Sequence, residues 1–301
     1  MSIASLIDKA YERTLSEKVK RKGEQSILGI AIGSYLLHLL LILLSNYELI
    51  DHDSHFLSDP IAAIYTPFSF ILIYEVYLLV FFLPKSLSYY IGKQYEIITL
   101  IVIRRIFKDI AKIELDSHWF EIQSDLQFTF DCLTSLILFI LIFLFYRNIR
   151  KRDKAEEVDM DSNQTKIKRF IRLKKVISTL LVPAIAGLAI YSFGTWAVVA
   201  YSDYLDGIVA FKHINNIFFD EFFTVLIIVD VLMLLASFFY SDHFHKIIRN
   251  SGFVISTILI KLSFANSGLI NNALIIGAVL FGFLILVIHN LYEKQDLQNK
   301  V

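Results

Sequence analysis

Cysteine, proline, tryptophan and charge are all scarce in this 301-residue chain, which holds one Cys, four Pro, two Trp and only 19% charged residues. The single Cys132 excludes an intramolecular disulfide and has no second cysteine with which to form a metal motif. A net charge of zero leaves no basic face for nucleic acid. No selectivity filter, phosphate-binding glycine loop, nucleophile elbow or zinc-protease motif occurs, so the sequence predicts no enzyme, cofactor or metal site.

Apolar residues are abundant instead, at 56% of the chain, and they fall in long blocks such as Ile27–Ser45. A block of about 18 residues with few charges is long enough to cross the hydrocarbon of a bilayer as a helix. The blocks lack the alternation of barrel strands, so the predicted fold class is an all-α integral membrane protein. Eight spans are predicted, near 27–46, 60–83, 94–113, 128–147, 173–201, 218–240, 251–266 and 269–291.

Lysine and arginine are distributed unevenly between the segments that join these spans. With the N-terminus inside, the predicted inside segments hold 23 of the 29 basic residues and the outside segments hold three. Cytoplasmic loops are rich in Lys and Arg, so both termini are expected to be cytoplasmic. The polar residues before position 27 leave no cleavable signal peptide, and the first span is expected to be an uncleaved anchor.

The two halves of the chain resemble each other at a nearly constant offset. Ser45-Asn-Tyr47 matches Ser202-Asp-Tyr204, and Glu96–Arg104 matches Phe253–Lys261, both at an offset of 157. Four spans per half make the predicted arrangement two tandem parallel four-helix repeats, related by an axis along the membrane normal. The domains are a cytoplasmic amphipathic segment 1–26, the first repeat 27–147, a basic cytoplasmic linker 148–172, the second repeat 173–292 and a cytoplasmic tail 293–301.

Charged residues inside the predicted spans are the candidate site. Counted from the ends of their predicted spans, Glu75 and Arg104 reach equal depth, and so do Asp230 and Lys261, which predicts two intramembrane ion pairs. A charge at mid-membrane costs at least about 2.5–3.5 kcal/mol, so pairing is the expected relief. The pairs either line an ion path or act as structural bridges. Arg105 needs a separate partner, and the candidates are Glu96, Asp109 and Asp131.

The leading functional hypothesis is a membrane transport protein, an ion channel or ion-coupled transporter with these acid–base pairs at its centre. The first alternative is a non-transporting sensor or assembly subunit that engages a cytoplasmic partner. The second is a membrane haem protein, but His38 and His289 lie at different depths, which favours ordinary buried histidines.

The expected partners are the lipid bilayer, anionic lipid at the basic linker, and ions or a small solute, with a homo-oligomer left open. Abundant Ile, Lys, Asn, Phe and Tyr favour an AT-rich bacterial source, and hence the bacterial inner membrane.

Overall fold

A computed structural model describes residues 3–47, 62–110, 123–156, 164–202, 207–240 and 244–298. Within these ranges the protein is helical, apart from short turns, and has no β-strand. A 3-10 turn, Ala62–Ile64, precedes the third helix. The α-helices are α1 Ile3–Leu15, α2 Glu17–Asn46, α3 Tyr65–Phe82, α4 Leu87–Ile110, α5 Gln123–Glu156, α6 Gln164–Ser202, α7 Gly207–Tyr240, α8 Phe244–Phe264 and α9 Gly268–Gln298.

Each of the eight predicted spans overlaps one helix from α2 to α9, but the boundaries differ. α4 and α8 begin seven residues before the predicted spans at 94 and 251, and α2, α6 and α7 begin nine to eleven residues before theirs. The polar N-terminal segment is also divided, because α1 ends at Leu15 and α2 begins at Glu17. Ser16 caps α2, since its side chain accepts a hydrogen bond from the Val19 amide at 3.4 Å.

Several helical stretches are long and apolar enough to cross a membrane, which indicates an integral membrane protein. α4 is not among them because Lys93, Glu96, Arg104 and Arg105 interrupt its apolar sequence. A shorter apolar stretch, Thr66–Phe82, lies in α3. The five stretches that meet both criteria among the described residues are Asp8–Ser45, Asp125–Ile149, Glu221–Phe238, Phe244–Phe264 and Gly268–Gln295.

Consecutive helices pack as neighbours, and two sets of four helices result. In the first set α2 packs on α3, α3 on α4 and α4 on α5, and in the second set α6 to α9 pack in the same serial order. The main contact between the sets is α5 against α9, with smaller contacts of α4 with α8 and of α3 with α6. α1 packs along α6 and also contacts α2.

Apolar side chains cover much of the outer surface of the bundle. Leu36, Phe143, Leu180 and Ile270 are each at least 60% exposed, as expected for residues that contact lipid. α4 is the opposite case, because none of its described side chains is exposed. The polar and charged residues of α4 are therefore enclosed by other helices, and their contacts define the candidate site.

Candidate functional site

Arg105 of α4 is held by acceptors from two other helices. Its Nε and Nη2 contact the two carboxylate oxygens of Asp131 on α5, with Nη2 2.7 Å from Oδ1. Nη1 donates to Asn271 Oδ1 at 2.8 Å, and Nη2 also donates to Asn272 Oδ1 at 2.5 Å. The fork of the guanidinium group suits this two-point contact with a carboxylate. Asp131 was one of the three partners considered for Arg105, and the structure places its carboxylate against the guanidinium group.

Side-chain amides complete this group of residues. Asp131 is fully buried, and its Oδ1 accepts further hydrogen bonds from Gln127 and Asn272, each at 2.7 Å. Asn271 donates to the carbonyl of Ser263 at 2.6 Å, which ties it to the end of α8. The Arg105 cluster, meaning Arg105, Gln127, Asp131, Asn271 and Asn272, therefore joins α4 and α5 of the first helix set to α9 of the second.

A second buried group, the Asp230 cluster, consists of Gln94 on α4, Asp230 on α7 and Thr257 on α8. Gln94 Nε2 lies 3.1 Å from Asp230 Oδ2. Thr257 Oγ1 lies 2.8 Å from Asp230 Oδ2, 2.8 Å from Gln94 Oε1 and 3.1 Å from the Phe253 carbonyl oxygen. Asp230 is only 3% exposed, and its described side-chain hydrogen bonds are to neutral groups.

A close contact between aromatic and glycine residues lies beside this cluster. The Tyr95 hydroxyl is 2.8 Å from Ser256 Oγ, and Ser256 donates in turn to the Ala278 carbonyl of α9 at 2.7 Å. The Tyr95 hydroxyl occupies the space over Gly282, where an added Cβ would lie 1.7 Å from the oxygen. Only glycine at this position leaves room for the Tyr95 hydroxyl against the backbone of α9.

Glu75 belongs to a third group, on the side of α4 that packs against α3 and α5. Lys93 Nζ lies 3.9 Å from Glu75 Oε2 and forms a closer ion pair with Glu96. Glu96 also accepts a hydrogen bond from the Tyr146 hydroxyl at 2.5 Å. One lysine therefore serves two carboxylates, and Glu96 has the additional phenol donor.

Glu75 was predicted to pair with Arg104, and the structure places it beside Lys93. Arg104 lies 17 residues after the first residue of α4, which is about 25 Å along the helix. Glu75 lies seven residues before the end of α3, or about 10 Å from the same turn. The sequence-based count placed the start of this helix too late, so it underestimated the depth of Arg104, a residue that is only 5% exposed.

Asp230 was predicted to pair with Lys261, and the helix ends again place the two residues at different levels. Asp230 lies ten residues before the end of α7, whereas Lys261 lies 17 residues after the start of α8. In an antiparallel helix pair, only residues at similar distances from the connecting turn face each other. Asp230 therefore meets Thr257, and Lys261 donates to Thr224. Asp109, the remaining candidate, lies in the last turn of α4.

Sequence reasoning missed the neutral members of both clusters, because it searched the spans for charge alone. Gln94 and Thr257 are uncharged, so the cost of burying a charge in the membrane did not mark them. The adjacent amides Asn271-Asn272 inside the predicted eighth span were a detectable signal, since two neighbouring polar residues rarely face lipid. A search for all hydrogen-bonding residues inside spans would have found these four.

The histidines that were weighed as haem ligands lie at separate places. His38 Nδ1 is 2.7 Å from Thr66 Oγ1, and His289 Nε2 is 3.0 Å from Arg249 Nη1. Within the described ranges, no three residues among His, Cys, Asp and Glu are grouped so that they could hold a metal ion.

Comparison of the chain with protein-family models, curated proteins and solved structures finds no match.

Proposed function

We propose that this protein is an ion-coupled membrane transporter of the bacterial inner membrane. In this proposal the eight helices α2 to α9 cross the bilayer, the termini are cytoplasmic, and the helix sets α2–α5 and α6–α9 are two tandem repeats. Positively charged segments favour this orientation, as argued from the sequence. The functional centre is the surface along which the two sets meet.

Helix boundaries and contacts support the tandem repeat. α4 begins at Leu87 and α8 at Phe244, an offset of 157 that equals the offset between the sequence matches. Under this correspondence α4 matches α8 and α5 matches α9, and these are the helices that touch between the sets. A twofold axis along the membrane normal brings equivalent helices into contact in this way. The contact of α3 with α6 has no described counterpart of similar extent between α7 and α2, so the two sets are not identical.

One observation carries the functional proposal: Asp230 is buried at 3% exposure in the interface, and its hydrogen-bond partners among the described residues are all neutral. A structural acid would be matched with a base, as Asp131 is matched with Arg105. A buried carboxyl group in a membrane bundle that lacks a base is typical of an ion or proton pathway.

A transporter fits these contacts better than an open channel. At both clusters the side chains of opposite helix sets bond to each other directly. Ion movement past such contacts requires them to separate, which alternating motion of two repeats provides.

A non-transporting sensor or assembly subunit is the second candidate. Arg169 and Arg172 near the start of α6 are exposed, and so is Ile171 between them, at 41%. An exposed basic surface next to the predicted cytoplasmic linker suits anionic lipid or a cytoplasmic partner.

Reconstituted liposomes test the two candidates against each other. Purified protein would be placed in liposomes, and proton, Na⁺, K⁺ and Cl⁻ gradients would be imposed in turn, each with an enclosed dye sensitive to the ion being tested. We expect protein-dependent movement of at least one of these ions, and a loss of that movement in Asp230→Asn. Flux equal to that of protein-free liposomes under every gradient would contradict ion coupling and favour the sensor or assembly subunit.

A further inference from the structure

If Asp230 is ionised, the Asp230 cluster has too few hydrogen atoms to place one in each of its short oxygen–oxygen contacts. Thr257 has one hydroxyl hydrogen, yet its Oγ1 lies 2.8 Å from Gln94 Oε1 and 2.8 Å from Asp230 Oδ2. Each oxygen–oxygen contact at this distance requires a hydrogen between the two atoms. Thr257 supplies one of them, and an amide oxygen and a carboxylate supply none.

Turning the Gln94 amide around does not remove the shortage. In that orientation the amide nitrogen donates to Thr257, and Thr257 donates to Asp230 Oδ2. The amide oxygen of Gln94 would then face Asp230 Oδ2 at 3.1 Å, again with no hydrogen between two oxygens. Both orientations need one more hydrogen, and the Asp230 carboxyl is the only group of the three that can gain it.

We propose that Asp230 holds a proton as a neutral carboxylic acid, and that this proton is the ion to which transport is coupled. With the proton on Oδ2, Asp230 donates to Thr257 and Thr257 donates to Gln94. The three contacts among Gln94, Asp230 and Thr257 then each have one hydrogen, whereas the 3.1 Å contact of Thr257 with the Phe253 carbonyl is common to all of these arrangements and does not distinguish them. The second part of the proposal rests on the proposed transport function, whereas the first part does not.

The surroundings of Asp230 agree with a neutral acid. Its Oδ1 is buried and has no hydrogen bond of normal geometry, with the Tyr90 hydroxyl as the nearest donor group, and such weak solvation is far less costly for the carbonyl oxygen of an acid than for a carboxylate. Other titratable groups facing it are the phenols of Tyr90 and Tyr95 on α4, which are also buried. No described Lys, Arg or His forms an ion pair with Asp230.

Charged groups on the neighbouring helices have other contacts. On α6, Lys174 lies over the Phe170 ring, and Lys175 bonds to Asp8 of α1 at 3.1 Å. On α8, Lys261 donates to Thr224, one and a half turns from Asp230 along α7. The described residues around Asp230 therefore supply hydrogen bonds and no ion pair.

Loss of the proton would disturb the contact between the helix sets. When the proton leaves Oδ2 for water, the resulting carboxylate is the strongest acceptor in the cluster, and both Thr257 and Gln94 donate to it. The 2.8 Å contact between Thr257 and Gln94 oxygens then has no hydrogen, and the two residues repel each other. Gln94 lies on α4 and Thr257 on α8, so proton release loosens the contact between equivalent helices of the two sets.

Infrared difference spectroscopy of the reconstituted full-length protein tests the protonation directly. Wild type should show the carbonyl stretching band of a protonated carboxylic acid, and Asp230→Asn should lack it. Thr257→Val should keep the band at a shifted frequency, because the acid remains and loses its acceptor. Glu221→Gln is the matched control, since this exposed residue lies in the same helix and its removal should leave the band unchanged.

The transport part is tested on the same samples with a pH gradient and an enclosed pH-sensitive dye. Proton uptake by Asp230→Asn should fall to the rate of protein-free liposomes, while Glu221→Gln keeps the wild-type rate. A missing acid band in folded wild type would overturn the protonated site. A band that depends on Asp230, together with wild-type proton uptake by Asp230→Asn, would overturn coupling. A band without flux in wild type would leave the proton site standing and refute the transport function.

Discussion

Arg105 and Asp131 meet through two guanidinium nitrogens and both carboxylate oxygens, with Asp131 fully buried and Arg105 27% exposed. The charge of each is thus matched within the first helix set, while Asn271 and Asn272 of the second set bind the same arginine. The same arginine therefore forms the ion pair and joins the two helix sets.

Removing the acid from this pair should destabilise the protein. Loss of one partner from a buried ion pair costs about 3–5 kcal/mol, and the partial exposure of Arg105 should reduce the cost of Asp131→Asn to about 2 kcal/mol. Thermal unfolding in detergent would measure it. The double variant Arg105→Gln with Asp131→Asn should be more stable than the sum of the single losses predicts. Simple additivity would show that the two charges do not interact.

The effect of Tyr95→Phe on stability should change sign when Gly282 is replaced by alanine. Gly282→Ala places a methyl group 1.7 Å from the Tyr95 hydroxyl oxygen and 2.9 Å from Cζ, so it should cost about 1–3 kcal/mol. Tyr95→Phe in the wild type should cost about 1 kcal/mol through the lost hydrogen bond to Ser256. In the Gly282→Ala background the same change removes the clashing oxygen and should stabilise the protein.

Gly277→Ala is the control for this experiment. Gly277 lies in the same helix with nothing within 4 Å of an added Cβ, so alanine there should leave stability unchanged or raise it by up to about 1 kcal/mol. Equal losses at the two glycines would show that backbone flexibility, rather than contact with Tyr95, determines the effect.

Double-mutant cycles distinguish the two registers of α3 against α4. Glu75→Gln and Lys93→Gln should show a coupling of about 0.5–1 kcal/mol, as expected for a partly buried pair 3.9 Å apart. Glu75→Gln and Arg104→Gln should instead be additive, because about 15 Å of helix separates their levels. Coupling in the second cycle alone would mean that α4 starts near Lys93, as the sequence first suggested.

The orientation in the membrane is testable by cysteine labelling in a Cys132→Ser background. The uneven distribution of basic residues predicts which introduced cysteines react from outside and which react only after permeabilisation. External labelling at position 160 would refute the predicted orientation, because the linker would then be outside. The external positions are 51, 116 and 206, and the internal positions are 160, 243 and 298.

The helical class and the approximate helix positions followed from the sequence because apolar length is a property of a segment by itself. The ends of α4 and α8 did not follow, because polar residues such as Ser88 and Asn250 continue each helix beyond its apolar part and are buried by neighbours. An error of seven residues at the helix start is about 10 Å of depth, which is enough to assign wrong partners.

The membership of the site was partly predictable and its pairing was not. The cost of burying charge marked Arg105, Asp131 and Asp230 as residues that need partners. The partners Asn271 and Thr257 are neutral and come from distant parts of the chain, so only the packing of α8 and α9 identifies them.

The enclosure of α4 has a consequence for how the protein is made. A helix with several charges inserts poorly from the translocon into lipid by itself, and the amides that bind Arg105 are synthesised 166 residues later. Under the proposed eight-span topology, α4 would stay beside the translocon or in contact with α5 until α9 emerges. We therefore expect the first four helices to be fully assembled only when the last helix has been made, and a chain that stops after α5 to be degraded by membrane proteases.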